Sequence, residues 1–310
     1  MRVLVTGGTG FLGRHLMRKL AAAGGLEPLA VGRSHCDLTQ PDKVRQLLSD
    51  TKPQAIIHLA AVCGGIGANR AEPGRFLLEN SLMGLHVLEE ARRAGVQKVV
   101  LLGSVCAYPK DCPVPFREED LWNGYPEPTN APYGIAKKLI AAQSAAYRDQ
   151  YGFNSITLLP ANLYGPGDCF DLERGHVVPA MIRKFIQAKE RGDVPVVLWG
   201  DGTPTREFLY VEDAAAAIVA ALATYDRPEP LNLGTGKEIS MLELARMIAE
   251  LVGFQGDIVW DRARPNGQPR RCLDTQKAAD LLGWRAQTEL LTGLAKTLYV
   301  DWWRAVGAVA

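Results

Sequence analysis

Apolar and polar residues along the first half of the chain follow two alternating rhythms. RVLVT, residues 2 to 6, is a short apolar run that stops at glycines, and FLGRHLMRKLAAAG after it has the spacing of a helix. PLAVGRS, QAIIHLAA, QKVVLLGS and FNSITLLPANLYG repeat the strand-like pattern. PDKVRQLLSD, FLLENSLMGLHVLEEARRAG and residues 132 to 150 repeat the helical one. Short apolar runs alternating with helices predict a parallel sheet covered on both faces. Right-handed crossovers then make it an α/β, doubly wound (Rossmann) fold.

The helix from Arg75 to Ala94 is apolar around much of its circumference, through Phe76, Leu77, Leu78, Leu82, Met83, Leu85, Val87 and Leu88. Such a helix is covered on two sides, one by the sheet and the other by a second copy, so a homodimer is expected. After Gly165 the rhythm changes, and residues 166 to 206 are richer in proline, glycine and charge. FLYVEDAAAAIVAALA reads as a strand end and a helix, PLNLGTG as one more strand with its turn, and MLELARMIAELVG as a helix before the loop RARPNGQPRR. The expected division is a dinucleotide-binding domain of residues 1–165 and 207–236. A smaller, discontinuous substrate domain of 166–206 and 237–310 would pack over the carboxyl ends of the strands.

Composition narrows the function classes. With 310 residues and a formal charge of +1, nothing points to nucleic acid or a disordered tail. The N-terminus lacks the apolar region of a signal peptide, and AAAAIVAALA is too short to span a bilayer. The six cysteines show no zinc spacing, so no metal and no disulfide framework is expected, and a reducing cytoplasm is the simplest compartment.

Candidate chemistry begins at Gly7, Gly10 and Gly13, which fill the turn between the first strand and its helix. Glycines there allow a tight turn and close approach of a pyrophosphate to unpaired helix N–H groups. The second strand ends in Val31-Gly32-Arg33-Ser34 without an acid, so Arg33 favours the 2′-phosphate of NADP over the ribose of NAD. Asp37 and Leu38 follow, where a carboxylate could approach the adenine or simply cap the next helix. In NAPYGIAKK, Asn130 caps a helix, Pro132 suits its first position, and Tyr133 and Lys137 share one face at i and i+4. A lysine beside a phenol is expected to lower the phenol's pKa toward neutrality. Ser104 ends the fourth strand, where ligands of doubly wound sheets sit, and can hydrogen-bond a carbonyl oxygen that the tyrosine protonates.

With the glycine loop, the order TGGTGFLG, HLAA, GSVCAYP, YGIAK and REFLYVEDAA resembles the extended short-chain dehydrogenase/reductases across nearly the whole chain. GGIGAN, GSVCAYP, EPTNAPYGIAK, PANLYGPGDCF, HVVPA and WGDGTPTREFLYVEDAA are similar, more narrowly, to the GDP-L-fucose synthase family. That resemblance implies an NADP(H)-dependent 3,5-epimerase and 4-reductase acting on the nucleotide sugar GDP-4-keto-6-deoxy-mannose. It implies Cys106 and His176 as the epimerisation base and acid, Tyr133 as the proton donor in reduction, and Lys137 as a ribose contact. It places Phe11, Leu12, Ala60, Asn162 and His176 beside the cofactor. Arg206 is the implied pyrophosphate ligand, with Asn162, Val177, Lys184, Trp199, Arg264 and Arg270 along the substrate. Trp199 reads equally as core packing, and Arg264 and Arg270 as solvated loop charges. The sequence departs from the family pattern at Thr9, Val62, Cys63, Val105, Ala161 and Gly175. Reduction or epimerisation of another nucleotide-linked 4-keto sugar, or redox-neutral epimerisation, stays open at this point.

Overall fold

Val3, Leu4 and Val5 are buried in succession, as are Ala55, Ile56 and Ile57, which a strand covered by helices on both faces requires. The structure is a computed structural model, described for residues 1–172 and 175–303, so residues 304–310 of the expected substrate domain lie outside it. In chain order the elements begin β1 (Arg2–Thr6), α1 (Phe11–Ala22), β2 (Glu27–Val31), α2 (Pro41–Thr51) and β3 (Ala55–His58). They continue with α3 (Ile66–Ala71), α4 (Pro73–Arg93), β4 (Lys98–Leu102), α5 (Ala131–Tyr151), β5 (Ser155–Pro160) and β6 (Asn162–Tyr164). Then come α6 (Val177–Glu190), β7 (Val196–Trp199), β8 (Thr205–Tyr210), α7 (Val211–Thr224) and β9 (Leu231–Leu233). The last are β10 (Glu238–Ser240), α8 (Met241–Val252), β11 (Ile258–Asp261), α9 (Gln276–Leu282) and α10 (Leu290–Leu298).

Six strands form one sheet in the order β2-β1-β3-β4-β5-β9, all parallel. The chain leaves β1 toward β2 and returns on the other side as β3. The order therefore reverses between β1 and β3, and the crevice beyond those strand ends is where such sheets bind dinucleotides. Lys98 ties the sheet to α7. Its ammonium donates to the carbonyls of Ala221 and Leu222 at 3.1 and 2.8 Å and meets Asp226 at 2.7 Å, so a cation sits at the negative end of that helix.

A second core gathers Tyr164, Ile182, Phe185, Leu244, Ile248 and Leu294 around the sheet β10-β8-β6 and the pair β11-β7. One sequence expectation changes here. FNSITLLPANLYG is not one strand: β5 stays in the large sheet, while β6 pairs with β8. The break falls at Pro160, which has no N–H, and Ala161 donates to Leu233 O at 2.9 Å as the chain changes sheets. Residues 166 to 206 also hold α6 and β7, where Val178, Met181, Ile182 and Phe185 bury one face of α6.

α5 runs as expected, with Pro132 in its first turn and a stop at Gly152, φ +64°. On α4, Phe76, Val87 and Leu88 are buried while Leu77 and Leu78 are exposed at 38% and 59%, and Leu139 of the neighbouring α5 is exposed too. Among the described residues no helix is long and apolar enough to cross a membrane.

Candidate active site

The glycine turn is built for close approach. Gly7 has φ +73°, and a Cβ there would lie 2.8 Å from Ala60 N, so Ala60 faces the turn from the end of β3. Gly10 N donates to Gly7 O at 2.9 Å, and a Cβ on Gly13 would run into that same carbonyl. The first turn of α1 therefore sits against β1 with its N–H groups toward the crevice, as a dinucleotide pyrophosphate requires. Phe11 is half-buried and Leu12 is in the core, so Leu12 offers only backbone to a cofactor. Arg33 extends from the end of β2, with its side chain 77% exposed and Glu79 3.6 Å away, which fits a 2′-phosphate. Asp37 is exposed and does not cap α2, whose cap is Gln40: Thr39 N and Oγ1 donate to its Oδ1 at 3.1 and 2.7 Å. Those bonds hold its carboxyl below the usual range. Leu38 is buried with Val31, Val44 and Leu48.

Ser104, Cys106, Tyr133 and Lys137 meet just beyond β4. Ser104 caps the 3-10 turn Val105–Ala107 by accepting from Cys106 N at 3.1 Å. A Cβ on Gly134 would strike Cys106 O, so glycine at that position lets the start of α5 lie against this turn. Lys137 is 4% exposed, donates to Leu102 O at 2.8 Å, and its Nζ lies 5.6 Å from the centre of the Tyr133 ring. Burial lowers the Lys137 ammonium to about 8. Burial also pushes the Tyr133 phenol well above its ordinary value, with Cys63 and Cys106 adding to the rise and a hydrogen bond with Ser104 opposing it. The expected fall toward neutrality is therefore reversed, because desolvation of a phenolate outweighs the neighbouring cation.

The remaining expected residues reach this cleft in different degrees. His176 is the residue before α6, with its Nδ1 3.9 Å from Asp168 Oδ1, and Val177 begins that helix half-buried. A Cβ on Gly65 would lie 2.8 Å from Gly175 O, which brings the GGIGAN segment beside His176. Asn162 donates to Glu207 O at 2.9 Å. Arg206 donates to Thr205 O at 2.7 Å and Asn266 O at 3.2 Å, and burial with the neighbouring Arg271 lowers its guanidinium to about 9. It stays charged at neutral pH, so the cleft presents a partly desolvated cation to an anionic ligand. Trp199 is 44% exposed, not core, and the Arg264 guanidinium lies 5.1 Å from its ring centre. Lys184 spends its ammonium on Val197 O at 2.8 Å.

Arg270 does not join the cleft: its guanidinium pairs with Glu238 and is exposed. The residue that turns inward is Arg271, whose Nη1 donates to Cys106 Sγ at 3.4 Å. Asn130 was expected only as a helix cap, yet its Nδ2 donates to the same sulfur at 3.2 Å. Glu207, 1% exposed, holds this side of the cleft together. It accepts from Gly236 N at 2.8 Å and Leu273 N at 2.7 Å, while its own N–H donates to Arg271 O at 3.1 Å.

A sequence model of the NAD dependent epimerase/dehydratase family matches residues 3–234. The chain is 45% identical over 296 residues to GDP-L-fucose synthase of Sinorhizobium fredii, covering 96% of this chain and 94% of that protein. It is 36% identical over 305 residues to GDP-L-fucose synthase of Escherichia coli, covering 96% and 95%. Among solved structures, a GDP-6-OMe-4-keto-L-xylo-heptose reductase from C. jejuni superposes with a TM-score of 0.91 at 28% identity over 98% of each chain. A GDP-L-fucose synthetase from Naegleria fowleri bound to NADP gives 0.89 at 28% identity, over 100% of this chain and 95% of that one. A strand–glycine–helix turn, a serine–tyrosine–lysine cluster beyond β4 and full-length likeness to these proteins agree, and the chain belongs to the NAD dependent epimerase/dehydratase family.

Proposed function

We propose that the protein is an NADP(H)-dependent GDP-L-fucose synthase, which epimerises GDP-4-keto-6-deoxy-mannose at C3 and C5 and reduces it at C4. The observation that carries this reading is the placement of Cys106 beside Ser104 and Tyr133 in one cleft. Redox-neutral epimerisation at C4 needs only the serine, tyrosine and lysine. Inverting C3 and C5 needs further groups that remove a proton on one face of the sugar and return one on the other.

Gly7, Gly10, Gly13 and Ala60 would cradle the cofactor's pyrophosphate, Arg33 its 2′-phosphate, and Lys137 the nicotinamide ribose. When bound, the reduced nicotinamide supplies a hydride. Cys106 takes the proton next to the C4 ketone, and His176, with Asp168 nearby, returns one from the opposite side. Ser104 hydrogen-bonds the C4 oxygen, which makes the neighbouring C–H bonds acidic and later receives the Tyr133 proton. Arg206 neutralises the sugar diphosphate, and Trp199 with Arg264 forms an exposed shelf on which a base can stack. Residues 1–165 and 207–236 serve the cofactor and the rest serves the sugar nucleotide, although Leu273 and Ala278 pack into the core of the large sheet. We read the exposed Leu77, Leu78 and Leu139 as covered by a second copy in a homodimer, working in the cytoplasm.

The test is incubation with GDP-4-keto-6-deoxy-mannose and NADPH. Loss of the reduced-nicotinamide absorbance with formation of GDP-L-fucose is expected, and no loss would overturn the substrate assignment. In Cys106→Ser, solvent deuterium uptake at C3 and C5 should fall while reduction persists. Undiminished uptake would remove Cys106 from the mechanism.

A further inference from the structure

The loop RARPNGQPRR ends in two arginines that the fold treats differently. Arg270 is exposed and paired with Glu238. Arg271 is 6% exposed and fixed along its length. Its Nε donates to Gln268 Oε1 at 3.1 Å, and its carbonyl accepts from Glu207 N at 3.1 Å. Gln268 is 3% exposed and is anchored through Nε2 to Lys110 O at 2.7 Å and Pro109 O at 3.2 Å. A flexible arginine aimed at a diphosphate would not need such a brace. What the brace does is hold Nη1 3.4 Å from Cys106 Sγ.

The same sulfur receives Asn130 Nδ2 at 3.2 Å from the start of α5. Two N–H donors thus converge on one sulfur from opposite elements. A thiol is a weak acceptor, whereas a thiolate is the form that donors and a guanidinium favour. Of the other groups facing Cys106, Arg206 of β8 adds a second cation, Tyr133 of α5 is a neutral phenol, and Glu127 faces Arg206. Ser104 engages the backbone N–H of Cys106 rather than its sulfur.

We infer that Arg271 is a positioning residue for epimerisation: it places a cation beside the Cys106 sulfur and aims that sulfur at the sugar, while the diphosphate belongs to Arg206. Which proton the thiolate removes rests on the proposed function. The pairing of Arg271 with Cys106 does not, and it is tested without substrate.

The free enzyme is treated with iodoacetamide across a pH series, and alkylation of the peptide carrying Cys106 is followed by mass spectrometry. In Arg271→Met the midpoint of the rate profile is expected to rise by about one pH unit or more, the effect of removing a cation at this range. Alkylation near neutrality then slows about tenfold. Arg271→Lys keeps the cation but loses the Nε bond to Gln268, so it should shift partway, as should Gln268→Ala. With GDP-4-keto-6-deoxy-mannose, Arg271→Met should lose about tenfold in solvent deuterium uptake near neutrality and regain it as pH rises, with KM changed less than about twofold. Should Arg271→Met fail to fold, Arg271→Gln removes the charge, keeps polar N–H groups and carries the same expectation. A profile superimposable on the wild type in a folded, charge-free variant overturns the inference, and a raised KM with that unchanged profile would make Arg271 a diphosphate ligand instead. If the profile shifts but the wild type does not turn over this nucleotide sugar, the pairing stands and the substrate assignment falls.

Discussion

Tyr133 is the residue whose environment most decides the chemistry. Burial holds its phenol well above the ordinary value, so at neutral pH the proton is present and available to a developing alkoxide at C4. Lys137 behaves in the opposite sense, because burial lowers its ammonium to about 8. Below that pH the cation is present, and above it the cation is lost, so kcat for reduction should fall as pH rises through about 8. Tyr133→Phe should lower that kcat by about 10²- to 10⁴-fold, the usual contribution of a positioned acid, while deuterium uptake at C3 and C5 continues. Single-turnover oxidation of NADPH alongside mass analysis of the sugar separates the two readouts. Equal loss of both would mean that the variant has damaged the whole cleft. The pairing of Tyr133 with Lys137 was legible as i and i+4. The direction of the phenol's shift was not, because it depends on how much water the folded cleft removes and not on spacing.

Among elements, the β1–α1 turn was the most legible, since a buried strand, three glycines and a helix lie consecutively in the chain. Its packing gives a direct prediction. In Gly13→Ala the new Cβ would run into Gly7 O, which is backbone and cannot move aside without lifting α1 from β1. A cost of about 1–3 kcal/mol in urea unfolding is expected, with at least a tenfold loss of NADPH affinity by fluorescence titration. Gly24→Ala, at an exposed φ of +69° with nothing near its Cβ, is the control: it should cost about 1 kcal/mol of strain and leave affinity unchanged. Less legible were elements defined by distant partners. β6 is cut from β5 by its pairing with β8, and β7 exists because β11 lies beside it. The inward turn of Arg271 was hidden for the same reason: besides Gln268 three residues away, it is fixed by Glu207 and Cys106, which come from distant parts of the chain.

At the scale of the molecule, the large sheet and the second core are joined at β8, where Leu209 packs into one and Phe208 and Tyr210 into the other. Glu207, on the same strand, grips the turn after β9 and the segment bearing Arg271. The cleft thus lies between two cores that share a strand, which keeps the acid–base groups in register. Outside this arrangement, α4 and α5 pack against each other and leave Leu77, Leu78 and Leu139 exposed. Solvating three leucines on adjacent helices is unfavourable by about 25 cal/mol per Å² of apolar surface. Two copies meeting through this face would bury it on both sides. Light scattering at micromolar concentration is therefore expected to give twice the mass of one chain. Leu78→Glu, at the most exposed of the three, should return it to a single chain, because pairing would bury two carboxylates against leucines. Since the proposed acid–base groups all come from one chain, NADPH oxidation per subunit should survive in the separated variant within a few-fold. A wild type that scatters as one chain would leave the leucines without a partner copy and remove the dimer from this account.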